Sequence, residues 1–173
     1  MNLKKIIIIL FVFSLQPSNL FANELYYLDF KKILNESNAG KKAQVFLKKK
    51  LDNGVAEIKD KEKKLQDEEK KIIQQKKVIS SDEYKKKVTE LRSEVLNLQK
   101  RRNELLQNVA KQRANARNEL IKNLNPILKN YMEKNNIKLV IDKKNVLLGD
   151  EKLEITNEIL TLLNNKLKSI KLN

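Results

Sequence analysis

From residue 40 to residue 125 the chain consists almost wholly of helix formers, with Gly54 the one glycine after Gly40 and no proline. Its apolar residues recur every seven positions. Leu51, Ile58, Leu65, Ile72 and Ile79 step by seven, and Tyr84, Val88, Leu91, Val95, Leu98, Leu105 and Val109 follow, mostly in steps of four and three. Such spacing keeps one apolar seam along a helix, and that seam needs a partner helix to cover it. Ser80, with Glu83 three residues on, forms a capping box that marks where a second helix starts. Ile79 and Tyr84 stand where a hydrophobic staple would close around that cap. A connection this short predicts two helices running antiparallel. Arms of about 40 residues would each span roughly 60 Å. A rod of this kind encloses no cavity for chemistry, and the same spacing would also serve a plain coiled-coil spacer.

The ends of the chain read differently. Lys4 and Lys5 precede an apolar run from position 6 to position 15, and a small residue, Ala22, follows at a plausible cut site. This pattern predicts a cleaved secretory signal over residues 1–22. The run is well short of the ~20 apolar residues that span a bilayer, and no Cys follows it to carry a lipid. His, Cys and Trp are absent. Without His or Cys the usual zinc, copper and iron sites and the Ser-His or Cys-His nucleophiles cannot be built. The glycines, Gly40, Gly54 and Gly149, are too sparse for a phosphate-cradling loop. Asp67, Glu68 and Glu69 lie among lysines and read as a solvated ion-pair network. The expectation is a protein that is no enzyme and takes no cofactor, metal or small-molecule substrate.

Charge narrows the partners. The formal net charge is +15, and removing Lys4 and Lys5 leaves 35 basic against 22 acidic residues, a net of +13. Lysines cluster on the arms: Lys63, Lys64, Lys70, Lys71, Lys76, Lys77, Lys85, Lys86 and Lys87 lie towards the turn. Such a field attracts anions over about 8 Å at physiological salt. Specific nucleic-acid binding is disfavoured by the export signal, the interleaved glutamates and the lack of aromatics for base stacking. Acidic unfolded chains and anionic lipid head groups fit better; solubility of a long rod is the plain alternative.

Flanking the rod, residues 25–30 (LYYLDF), 137–141 (IKLVI) and 146–148 (VLL) have strand character. The last two, joined by a turn at residues 142–145, predict a hairpin of strands to which the first adds. Residues 154–167 predict a helix with Thr156 as its cap, and Pro126 should bend or restart the second long helix. Residues 23–39 and 126–173 thus make a small head and residues 40–125 a helical hairpin, an α+β chain. A lone three-stranded sheet this small buries little and exposes edges, so heads should associate.

The order of these parts resembles the Skp/OmpH family of periplasmic chaperones for outer-membrane proteins. LYYLDF, KKILNESNAGKKA, NLNPILKNY and IKLVIDKKNVLLGDEKLEITNEILTLLNNKL carry the resemblance over the whole mature length. The last segment is the most specific, and the hairpin adds little. The resemblance implies a homotrimer in the Gram-negative periplasm, whose strands join in a small central barrel and whose antiparallel coiled-coil hairpins hang from it as tentacles. Leu25, Tyr26, Tyr27, Leu28, Phe30, Ile137, Leu139, Val140, Ile141, Val146, Leu147 and Leu148 would make the barrel and trimer contacts. The cavity between tentacles would hold unfolded β-barrel precursors without ATP, with anionic membrane or lipopolysaccharide as further partners. Gly54, inside the first arm, reads either as a hinge that lets the arms splay or as a neutral solvent-facing glycine. A structural or adaptor protein of the cell envelope and a secreted polyanion binder remain the rival classes.

Overall fold

The computed structural model describes residues 25–172, so the expected export signal lies outside the described residues. The order is strand β1 (Tyr26–Leu28), helix α1 (Phe30–Glu36), the long helices α2 (Asn38–Gln75) and α3 (Ser81–Lys134), strand β2 (Val140–Asp142), and helix α4 (Thr156–Lys166). Single 3-10 turns, Lys143–Asn145 and Glu151–Leu153, lie between β2 and α4. At 1.5 Å per residue α2 is roughly 57 Å long and α3 roughly 81 Å. Most of the chain is helix, and its strand part is small.

The two long helices pack along each other as the apolar spacing requires. Ile58, Ile72, Leu98 and Val109 are buried in the seam. Cross-helix contacts run in opposite order along the two helices. Lys50 donates to Gln112 at 3.1 Å, Glu62 pairs with Arg102 at 3.3 Å, and Lys87 donates to Gln75 at 3.3 Å. Ser80 caps α3, its hydroxyl accepting from the Glu83 amide at 3.2 Å. Val95, a seam position by spacing, is 45% exposed. It borders an open groove with Leu65, Leu91, Leu96 and Leu98, where the seam is incompletely closed.

The α1–α2 junction is a sharp corner. Ser37 ends α1 and caps α2, accepting from the Gly40 amide at 3.1 Å. A Cβ on Gly40 would run into the Leu34 carbonyl oxygen, so the corner closes only over a glycine. Beyond it lies the core: Leu28, Ile33, Ala39, Leu120, Leu124, Ile127, Ile155, Ile159 and Leu163 pack together, joining β1, α1, α4 and the base of both long helices.

Three local expectations are corrected. Pro126 does not restart α3, which runs as one helix to Lys134. Leu124 and Ile127 on either side of it are buried in the core, and that burial holds the helix despite the missing amide donor. The hairpin of strands does not form. β1 and β2 pair in parallel, Tyr26 with Val140, Tyr27 with Ile141 and Leu28 with Asp142. Residues 146–148 are not a strand, because Asp142 caps the 3-10 turn that follows β2 and diverts the chain. β1, moreover, also bridges Glu154 at Tyr27 and has no free edge there. Finally, Thr156 begins α4 but does not cap it: Ile155 holds the cap position with no side-chain bond.

Candidate functional site

Two surfaces contain the residues singled out by sequence: the strand head and the arms. In the head, Asp29 caps α1, its carboxylate accepting from the Lys32 amide at 2.7 Å, which ends β1 after Leu28 and makes Phe30 the first helical residue. The Asp29 amide donates to the Thr156 hydroxyl at 2.8 Å, and that hydroxyl donates to Glu154 at 2.8 Å. Lys143 completes the chain with a 2.7 Å bond to the other Glu154 oxygen. This bond is the main reason the Glu154 carboxyl is held below the ordinary carboxylate range and Lys143 is raised above an ordinary lysine. Burial first, and then the Glu158 charge, push the Tyr131 hydroxyl up at the base of α3.

The twelve head residues divide by exposure. Tyr27, Leu28 and Ile137 are buried within the chain, and Leu28 belongs to its core. Tyr26, Phe30 and Val140 pack against that core and are half-buried, as are Ile141 and Val146. Leu25, Leu139, Leu147 and Leu148 face solvent, the last two almost fully. Gly149 approaches the Tyr27 ring, whose hydroxyl donates to the Asp150 carbonyl at 3.2 Å.

On the arms, eight of the nine singled-out lysines are exposed and Lys87 is half-buried. Lys70 and Lys85 have acidic neighbours on their own helices, Asp67 and Asp82, both at 3.7 Å. Lys76 lies 5.7 Å from the centre of the Tyr84 ring, within cation–π range. Gly54 faces neither solvent nor a void. A Cβ there would sit 2.5 and 2.7 Å from the two Leu105 methyls, so at the glycine the Leu105 side chain of α3 packs directly onto the α2 backbone.

Sequence reasoning missed three features. Val45, Phe46, Val55, Leu96 and Leu106 lie on the long helices outside the seam and remain exposed; they could have been found as apolar residues off the seven-residue repeat. Gln112 is buried in the seam beside Lys50, a polar residue at an apolar position. A second groove at the arm base has a floor of Leu34, Ala43, Leu47, Leu51, Ala116 and Leu120 and a rim that includes Lys31, Lys48, Arg113 and Arg117. This groove has no sequence signal, since its residues come from three helices, the end of β2 and the 3-10 turn after it.

A sequence profile of the family described as outer membrane protein (OmpH-like) matches residues 24–163, most of the chain. The chain belongs to the OmpH-like family. Among solved structures it is similar to a protein of Caulobacter crescentus CB15 that is provisionally named an outer membrane chaperone (OmpH-like). The two share 18% identity over 85% of this chain and 87% of that one, with a TM-score of 0.80, so the OmpH-like fold is common to both. No functionally curated protein matches.

Proposed function

We propose that this OmpH-like chain is an ATP-independent holdase of the periplasm, which encloses unfolded outer-membrane β-barrel proteins and delivers them for membrane assembly. The observation that carries the reading is the surface of the long helices. Val45, Phe46, Val55, Ile73, Leu96 and Leu106 are each at least 45% exposed, spread along both helices among exposed lysines. No site is deep, but many weak apolar contacts on one chain give useful avidity for a disordered guest that exposes apolar strands. The lysines add attraction for acidic client segments and for lipopolysaccharide, and this attraction weakens with salt.

The opposite order of the cross-helix contacts supports an antiparallel coiled-coil hairpin over residues 40–125, hung from a head of residues 23–39 and 126–173. Leu139, Leu147 and Leu148, exposed beside a two-stranded sheet, support association of heads into a homotrimeric barrel. Residues 1–22 would be the export signal. Release needs no nucleotide, because folding into the bilayer removes the client from the binding equilibrium.

The test dilutes a urea-unfolded β-barrel precursor into buffer with the chain starting at Asn23. The expected result is suppressed aggregation without ATP, by a species that sediments as a trimer. A single-copy species that leaves the precursor to precipitate would overturn the reading.

A further inference from the structure

We propose that the groove at the arm base is a carboxylate-reading subsite for the guest. It takes an extended segment in which one apolar side chain lies between two acidic ones. The inference rests on the chaperone reading for the identity of the guest, and adds to it a place and a preferred chemistry.

The floor is apolar and firmly built. Ala43, Leu47, Ala116 and Leu120 are buried, and Phe30 and Leu34 of α1 complete the lining. Its volume, about 930 Å³, lies at the upper end of the range that holds drug-sized ligands, room for a short peptide rather than a lone side chain. The rim is basic. The register set by Lys50 and Gln112 brings Lys48 of α2 level with Arg113 and Arg117 of α3, while Lys31 and Lys144 come from the head.

Charge matching separates this groove from the one farther along the arms. There Arg92 and Arg102 line the groove with Glu62 and Glu69, and Arg102 pairs with Glu62 at 3.3 Å. At the arm base Asp142 is the sole acid among the described lining residues, and Lys144 already lies 3.5 Å from it. Lys31, Lys48, Arg113 and Arg117 are exposed and make no salt bridge among the described residues. The rim is thus uncompensated within the chain. Arginine matters here, since its planar fork grips a carboxylate by two parallel hydrogen bonds where lysine offers a point charge. In this lysine-rich chain every arginine lies on α3, and two of them stand four residues apart on this rim.

Cations on three helices favour a chain over a single-headed amphiphile, whose one anionic group would meet only part of the rim. In extended chain alternate residues share a face at roughly 6.6 Å spacing, so an acid, an apolar residue and a second acid in alternate positions span about 13 Å. The floor from Ala43 to Leu51 runs about 12 Å along α2. Such a segment sets its apolar side chain on the floor and brings its carboxylates to the rim at either end.

The test uses the chain from Asn23 and the peptide Ser-Glu-Ser-Phe-Ser-Glu-Ser, labelled with an uncharged dye and followed by anisotropy. Binding should be saturable, and should weaken about tenfold or more when both Glu become Lys or when Phe becomes Ser. Arg113→Glu with Arg117→Glu should cause a similar loss. Arg113→Lys with Arg117→Lys keeps the charge and removes the forks, and should cause a smaller loss. Arg101→Glu with Lys134→Glu makes the same charge change roughly 18 Å or more away along α3, and should leave binding nearly unchanged. No saturable binding by a chain that still suppresses precursor aggregation would overturn the proposal, as would equal losses in the groove and control variants. Loss of self-association in Arg113→Glu with Arg117→Glu, with no peptide bound by the unsubstituted chain, would assign the groove to contact between copies and overturn it too. A chain that binds the peptide with these preferences but leaves the precursor to aggregate would support the groove and count against the chaperone reading alone.

Discussion

The contact between Gly54 and Leu105 makes a sign-changing prediction. In an open helix interior, Gly→Ala stabilises by about 1 kcal/mol, because alanine loses less backbone entropy on folding. Here the new methyl would stand 2.5 and 2.7 Å from the Leu105 methyls and 3.2 Å from its Cγ. The leucine must leave its rotamer, at about 0.5–1.5 kcal/mol, or push the helices apart, at about 1–3 kcal/mol. Gly54→Ala alone should therefore be neutral or destabilising by up to about 2 kcal/mol. In a Leu105→Ala background the obstruction is gone, and Gly54→Ala should stabilise by about 1 kcal/mol. The coupling between the two sites is then about 1–3 kcal/mol, readable by urea unfolding followed at the helix circular-dichroism band, at one fixed protomer concentration. Equal stabilisation in both backgrounds would refute the packing argument. It would leave the hinge as the remaining account of Gly54, to be tested by comparing capture of large and small clients.

Gly40→Ala should lose at least about 2 kcal/mol, because its Cβ meets the Leu34 backbone, which cannot turn away as a side chain can; thermal unfolding measures this. Pro126→Ala restores an amide donor to an unbroken helix and should stabilise by about 1–3 kcal/mol in urea; the ring is exposed, so a loss of stability would refute this reasoning. Glu154 is held below the ordinary carboxylate range, so its contribution is present above the unfolded-state value and is lost as pH falls through the lower folded-state one. Lys143 is raised, so its contribution is complete below the ordinary lysine value and is lost as pH rises through the higher folded-state one. The pair thus acts across neutral pH, and Glu154→Gln should flatten the acid limb of a stability–pH curve. Reversing Lys63, Lys64, Lys70, Lys71, Lys76, Lys77, Lys85, Lys86 and Lys87 to glutamate should weaken precursor capture and abolish its salt dependence; binding and salt slope both unchanged would remove these lysines from the mechanism.

The arms were legible because their signals are local. A seven-residue repeat and a Ser80 cap each need only a few neighbouring residues to act, and Ile58, Ile72 and Leu98 are buried where the spacing placed them. What failed depended on residues distant in sequence. Leu105 is 51 positions from Gly54, and only the register of the helices brings them together. Pro126 obeyed a local rule that burial of Leu124 and Ile127 overrode. Residues 146–148 have strand composition, but Asp142 caps the 3-10 turn that follows β2 and turns the chain away before it can pair back along that strand. In the head, composition marked which segments were apolar without saying which would pair.

The exposed apolar residues follow from the same division. A seam stabilises the arms only if its residues face each other, so whatever is left outside it, such as Phe46 or Leu96, adds nothing to that packing and faces water. Such residues would ordinarily be an aggregation hazard. Here lysines at Lys48, Lys49 and Lys100 stand within a turn of them in sequence, and like-charge repulsion keeps two arms from closing on each other through those patches. A guest that is disordered, apolar in alternate residues and partly acidic meets no such repulsion. Under the proposed function, discrimination between self and guest would come from charge, and affinity from scattered apolar contact. On that proposal the groove at Leu65, Leu91 and Val95 is where the two demands would meet: a tighter seam there would bury more apolar surface between the helices and leave less of it for a client side chain.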